Sequence, residues 1–121
     1  MITNINIREK YDKITEYWTP KIIGELNGQH VKLAKVKGDF LWHSHDNEDE
    51  LFIVYKGTLY IEFRDKTVTV PEGQLIIVPK GVEHRPYTNG EEVWIMLLEP
   101  KEILHTGNVI DEKTVTNLEW I

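Results

Sequence analysis

Four residues of this 121-residue chain have side chains and spacing suited to holding a metal ion: His43, His45, Glu50 and His84. His43 and His45 stand two apart in a β-prone run, so both imidazoles project from one face of a strand, together with Leu41. The pair is preorganised to share one ion. Glu50 follows the turn-prone acidic stretch Asp46-Asn47-Glu48-Asp49, where the chain can reverse and bring a carboxylate back beside the two rings. A third imidazole becomes available from a distant part of the sequence. There a glycine, Gly73, opens an apolar run, Pro79 and Gly81 shape a turn, and His84 begins the next strand. Imidazole and carboxylate together suit a divalent zinc, manganese, iron, nickel or copper ion. Cysteine is absent, which removes thiolate ligands, disulfides and a cysteine nucleophile together.

No other catalytic arrangement competes. Ser44 lies between the two histidines and points to the opposite face, so a Ser-His-Asp reading has no geometry behind it. Neither a G-x-x-x-x-G-K-[ST] loop nor a G-x-G-x-x-G fingerprint occurs. The acidic run Asp46 to Glu50 lacks the alternate-residue ligand spacing and internal glycine of a calcium loop. His30 and His105 belong to neither cluster and stay outside the site.

The elements that must position these residues are short strands. From Lys21 onward β-rich runs alternate with turn residues: Lys21 to Leu26, His30 to Lys37, Phe40 to His45, Glu50 to Tyr55, Thr58 to Arg64, Lys66 to Val70, Gln74 to Val78, Arg85 to Thr88 and Glu92 to Glu99. Tight turns at Asn27-Gly28, Lys56-Gly57 and Asn89-Gly90 leave no room for crossover helices, so the fold class is all-β. Residues 1–20 form an N-terminal arm or a short helix, since Ile7, Tyr11, Ile14 and Trp18 recur at three- to four-residue spacing before Pro20. Residues 21–100 form the barrel or sandwich, and residues 101–121 an extension that packs on it or on a partner subunit.

Composition fits one soluble domain, with 40% hydrophobic and 28% charged residues. A formal net charge of −6 repels phosphate backbones, so nucleic acid is not an expected partner. The N-terminal residues lack a signal-peptide pattern and no apolar run is long enough to span a membrane; the expectation is a cytoplasmic protein.

Two glycine-bounded frames surround the four candidate ligands, and through them the chain resembles the cupin superfamily. The first frame is Gly38, His43-Ser44-His45, Glu50 and Gly57; the second is Gly73, Pro79-Lys80-Gly81 and His84. Four residues separate Gly38 from His43 where five are commoner, and Thr88 occupies the usual place of an asparagine, displaced here to Asn89. The resemblance implies a double-stranded β-helix (jelly-roll-like) barrel with one divalent metal ion inside it, held by His43, His45, Glu50 and His84. It further implies pairing into a homodimer.

Alternation from the ligands puts Leu41, Phe52, Val54, Val82 and Pro86 beside the ion, and flanking strands bring Tyr60, Arg64, Tyr87, Trp94 and Met96 to the pocket mouth. Such a pocket suits a small uncharged or anionic organic molecule that reaches the metal through oxygen. Three functions follow: a metalloenzyme of oxygenase, isomerase or lyase type, in which Glu50 could serve as a base; a non-catalytic small-molecule binding or sensing module anchored by the metal; or a structural ion. The thiolate-free ligand set counts against the last.

Overall fold

A computed structural model describes residues 2–101, 107–109, 114 and 117–121. One helix and eight strands follow in chain order: α1 (Ile7–Asp12), β1 (Lys21–Leu26), β2 (Gln29–Val36), β3 (Glu50–Lys56), β4 (Thr58–Glu62), β5 (Thr67–Pro71), β6 (Leu75–Val78), β7 (Arg85–Tyr87) and β8 (Val93–Pro100). They build a five-stranded sheet, β1-β2-β8-β3-β6, and a three-stranded sheet, β5-β4-β7, with antiparallel pairing between the named strands. The inward residues of both sheets meet in one apolar core, including Val36, Phe52, Val54, Leu59, Ile61, Val78, Ile95 and Leu97. This is the expected all-β, jelly-roll architecture.

Period-two alternation decides which side chains enter that core. On β8, Val93, Ile95, Leu97 and Glu99 point in, while Trp94 and Met96 point out under α1. Tyr11 and Ile14 cover this outer face with Leu33 and Trp94, and the buried Tyr11 hydroxyl donates to the Ile95 carbonyl at 2.6 Å. The helix starts at Asn6, whose side chain caps the Glu9 N–H. It stops short of the Trp18 expected from periodicity. Tyr17 bridges Lys35 and the Trp18 N–H donates to the Lys35 carbonyl, so β2 takes this backbone before a further helical turn can form.

The expected strand Phe40 to His45 is not a regular strand. It touches the chain around β7 through two isolated bridges, His43 with His84 and Asp39 with Tyr87. Pro86 lies between those bridges and has no N–H to donate, so the ladder breaks there and its register slips by one residue. The slip buries Phe40, at 5% exposure, and leaves Leu41 only half-buried.

Of the C-terminal extension, the final residues lie on β1: Ile22 bridges Trp120, and its N–H and carbonyl bond to Glu119 and Ile121. His105, Val115 and Thr116 lie outside the described residues. No helix among the described residues is long and apolar enough to cross a membrane.

Candidate metal centre

Three segments converge inside the barrel. Glu50 is the first residue of β3 and points inward beside Val78 of β6. His84 precedes β7, and its backbone exchanges two hydrogen bonds with that of His43, at 2.9 and 3.0 Å. His45 is fixed one step further along, where its carbonyl accepts from the Gly81 N–H. From the far side, Asn108 grips the backbone of Ser44 twice, with its side-chain oxygen accepting from the Ser44 N–H and its own N–H donating to the Ser44 carbonyl. Gly107 makes this approach possible, since any side chain there would collide with the Ser44 carbonyl. The clamp carries no motif and was not foreseen from the sequence.

His43, His45, Glu50 and His84 each offer one ligand atom, and these atoms all lie within 4.8 Å of one another. All four residues are at most 5% exposed. Two donors on a shared ion stand at most about twice the bond length of ~2.1 Å apart, so the cluster needs a contraction of under about 1 Å to bind one. The Nδ1–H groups of His43 and His84 donate to the carbonyls of Leu41 and Val82 at 3.0 and 2.9 Å. Both rings therefore turn Nε2 toward the centre, the atom that each would offer to an ion.

The electrostatics agree with that geometry. Glu50 Oε1 lies 3.0 Å from His84 Nε2 and 3.1 Å from His45 Nε2, the latter without the alignment of a hydrogen bond. Burial works against the Glu50 charge, yet the two imidazoles outweigh it and hold the carboxyl below its usual range. Burial, reinforced by His84, lowers His43 to about 4 and keeps it neutral. For His45, burial is outweighed by the Glu50 carboxylate, and its affinity for a proton rises. His43 Nε2 and His45 Nε2 are buried with no hydrogen-bond partner, so two ring nitrogens in a low-dielectric interior lack a counterpart. A divalent cation is the partner that would satisfy both together.

A cavity of about 30 Å³, within about 330 Å³ of empty space, adjoins the cluster. Its wall includes His43, Glu50, Trp18, Phe40, Phe52, Ile95 and Leu97. Among the expected pocket residues the fold brings Phe52 and Pro86 to it. Phe40 stands where Leu41 was expected, because of the register slip at Pro86. Val54 is buried deeper in the core, and Trp94 and Met96 face α1 on the other side of the sheet. Tyr60 and Tyr87 stack on each other. Arg64 and Val82 line a separate cleft, with Arg64 also lying over the Trp42 ring and paired to Glu83. Trp18, which the sequence assigned to the N-terminal arm, is the unforeseen wall residue.

A second buried polar group sits in the same interior. Lys32 and Glu99 form an ion pair at 3.0 Å, exposed by 0% and 2%. Glu99 pairs in register with His30 on one side; on the other, the pairing of Leu51 with Leu98, continued by one step, sets it beside Glu50. Burial and the neighbouring Glu50 charge push the Glu99 carboxyl up, against the pull of Lys32. His30 itself lies 3.7 Å from Glu25 and against the edge of Trp120, away from the ligand cluster.

Comparison with known proteins gives a consistent picture. The family model described as Cupin domain matches residues 29–99. A cupin-2 domain containing protein from Shewanella frigidimarina is 45% identical, with a TM-score of 0.78 over 80% of this chain and 94% of that one. A protein from Neisseria meningitidis is 33% identical, with a TM-score of 0.74 over 82% of this chain and all of that one. The uncharacterised protein YdbB of Bacillus subtilis is 44% identical over 64 residues, which is 52% of this chain and 57% of that protein. The match thus spans little more than half the length of that curated relative.

Proposed function

Given that the chain belongs to the cupin domain family, we propose that it is a metal-dependent cupin in which His43, His45, Glu50 and His84 hold one divalent ion and a small organic molecule is bound, or acted on, in the adjoining cavity. The observation that carries this reading is the convergence of three buried imidazoles and one carboxylate held ionised, with two of the ring nitrogens lacking a hydrogen-bond partner. Zinc, manganese, iron, nickel and copper all suit three imidazoles and one carboxylate. Such an ion supplies Lewis-acid polarisation of an oxygen ligand, and in its redox-active forms electron transfer. The protein's own contribution is to fix the imidazole tautomers through Leu41 and Val82, to hold Glu50 as an anion, and to exclude water with Phe40, Phe52 and Leu97. Elemental analysis of chelator-treated protein reloaded with each ion tests the reading: about one equivalent per chain is expected, and refusal of every divalent ion would sink it.

A second reading, a non-catalytic binding or sensing module anchored by the metal, draws support from the same wall. Beyond His43 and Glu50, no described residue lining the cavity is titratable, so a separate acid or base is missing among the described residues. Saturable binding with no product from any candidate substrate would favour this module; turnover that disappears with Glu50→Gln would favour the oxygenase, isomerase or lyase alternatives.

The reading also takes the protein as a homodimer in the cytoplasm, independent of nucleic acid and membrane. In support, register aligns two apolar rows on the outer face of the large sheet: Ile77, Leu51 and Leu98, and Leu75, Ile53 and Met96. Leu75 and Ile77 are each 57% exposed on the edge strand β6. Ile77→Asp should weaken dimerisation by about 100-fold, the scale of losing a central contact. Sedimentation velocity across a concentration series reads this, and a monomeric parent protein at high concentration would contradict it.

A further inference from the structure

Resting on the metal reading above, we propose that the cavity selects an uncharged molecule with a slender apolar body and a single donor atom for the ion, and that Trp18 sets the size it admits. Among the described residues the wall carries no cation: apart from His43 and Glu50, it is aliphatic, aromatic or proline. Three basic side chains of the barrel are engaged elsewhere. Lys32 is bonded to Glu99, Arg64 pairs with Glu83 outside the cavity, and Arg85 pairs with Glu62 and Asp39. A carboxylate or phosphate on the body of a ligand would lose its hydration against Phe52, Ile95 and Leu97 and gain no partner. This removes the anionic half of the ligand class expected from the sequence.

Trp18 has a backbone φ of 57°, a left-handed conformation that a bulky residue adopts only when its surroundings impose it. Three contacts impose it here. The backbone N–H donates to the Lys35 carbonyl, the indole Nε1–H donates to the Lys37 carbonyl at 2.9 Å, and the ring stacks on Phe40 at 4.6 Å between centroids. The fold thus keeps an indole in an unfavourable backbone position to wall a cavity of about 30 Å³. That volume is room for about two waters.

The test uses three probes that share one metal-binding nitrogen group and differ in the body: 4-methylpyrazole, pyrazole-4-carboxylate and indazole. Calorimetric titration into nickel-loaded full-length protein, with nickel content measured on the same samples, should give 4-methylpyrazole an affinity at least about tenfold above the carboxylate. Trp18→Gly suits the positive φ and opens the wall, so it should bind indazole at least about tenfold more tightly than the parent at unchanged nickel content. Trp18→Ala reads the same effect should the glycine variant be unstable, and the methyl-against-carboxylate comparison needs no variant. With full nickel loading, equal or tighter binding of the carboxylate, equal binding of indazole by parent and variants, or no binding of any probe would overturn the inference and leave the metal reading standing. Failure to load nickel or any other divalent ion would overturn both.

Discussion

His84→Ala is expected to lower divalent-metal affinity by more than about 100-fold, beyond the ten- to hundredfold typical of losing a hydrogen bond that merely supports a ligand. The reason is positional. His84 Nε2 lies 3.0 Å from Glu50 Oε1, and its ring centroid lies 4.4 Å from that of His43, so its imidazole closes the cluster on one side. The substitution leaves the architecture in place, because His84 joins His43 through backbone N–H and carbonyl groups that alanine retains. Circular dichroism should therefore be unchanged while competition against a chelator shows the loss. Glu50, short of one hydrogen bond, adds a stability cost of about 1–3 kcal/mol in the metal-free protein. A variant that still retains its metal would remove His84 from the ligand set. Collapse of the fold on metal removal from the parent protein would instead argue for a structural ion.

The second large effect is on stability. Lys32→Met should destabilise the protein by about 3–5 kcal/mol, because it strands the Glu99 carboxylate in the interior. Lys32→Met combined with Glu99→Leu should recover most of that loss, since two apolar groups of similar volume need no counter-charge. The pH dependence has a definite sign. Burial and Glu50 already raise the Glu99 carboxyl above its unfolded value, and without Lys32 it rises further. Because both proteins share the unfolded-state titration, the single variant's deficit should shrink as pH falls from the variant's further-raised Glu99 range to the parent's, about 7, and stay level below it. Urea unfolding at several pH values measures both effects. A single variant as stable as the parent, or a double variant no better than the single, would show that the pair is not buried as described.

Whatever depends on short stretches of chain was legible in the sequence. The H-x-H pair, the acidic turn leading to Glu50 and the Pro-x-Gly turn before His84 each specify local geometry. Alternation along β3 also follows from residue type alone, and Phe52 faces inward with Glu50. What the sequence could not disclose depends on contacts between distant segments. The exchange of Leu41 for Phe40 in the cavity wall comes from a missing N–H at Pro86, on another part of the chain. Trp94 and Met96, expected at the pocket mouth, face the other way because β8 turns them toward α1.

Trp18 enters the cavity wall only because β2 captures its backbone, and Asn108 reaches Ser44 only across a fold assembled from both ends of the chain. Lys32 reads locally as a solvent-facing lysine, and its burial follows from pairing with Glu99 on a neighbouring strand. By itself the sequence determined the family, the all-β class and which side chains were available as ligands. Tertiary structure decided which residues enclose the cavity and which charges the interior holds, because both depend on strand register and on free energies of burial that no local stretch of chain specifies.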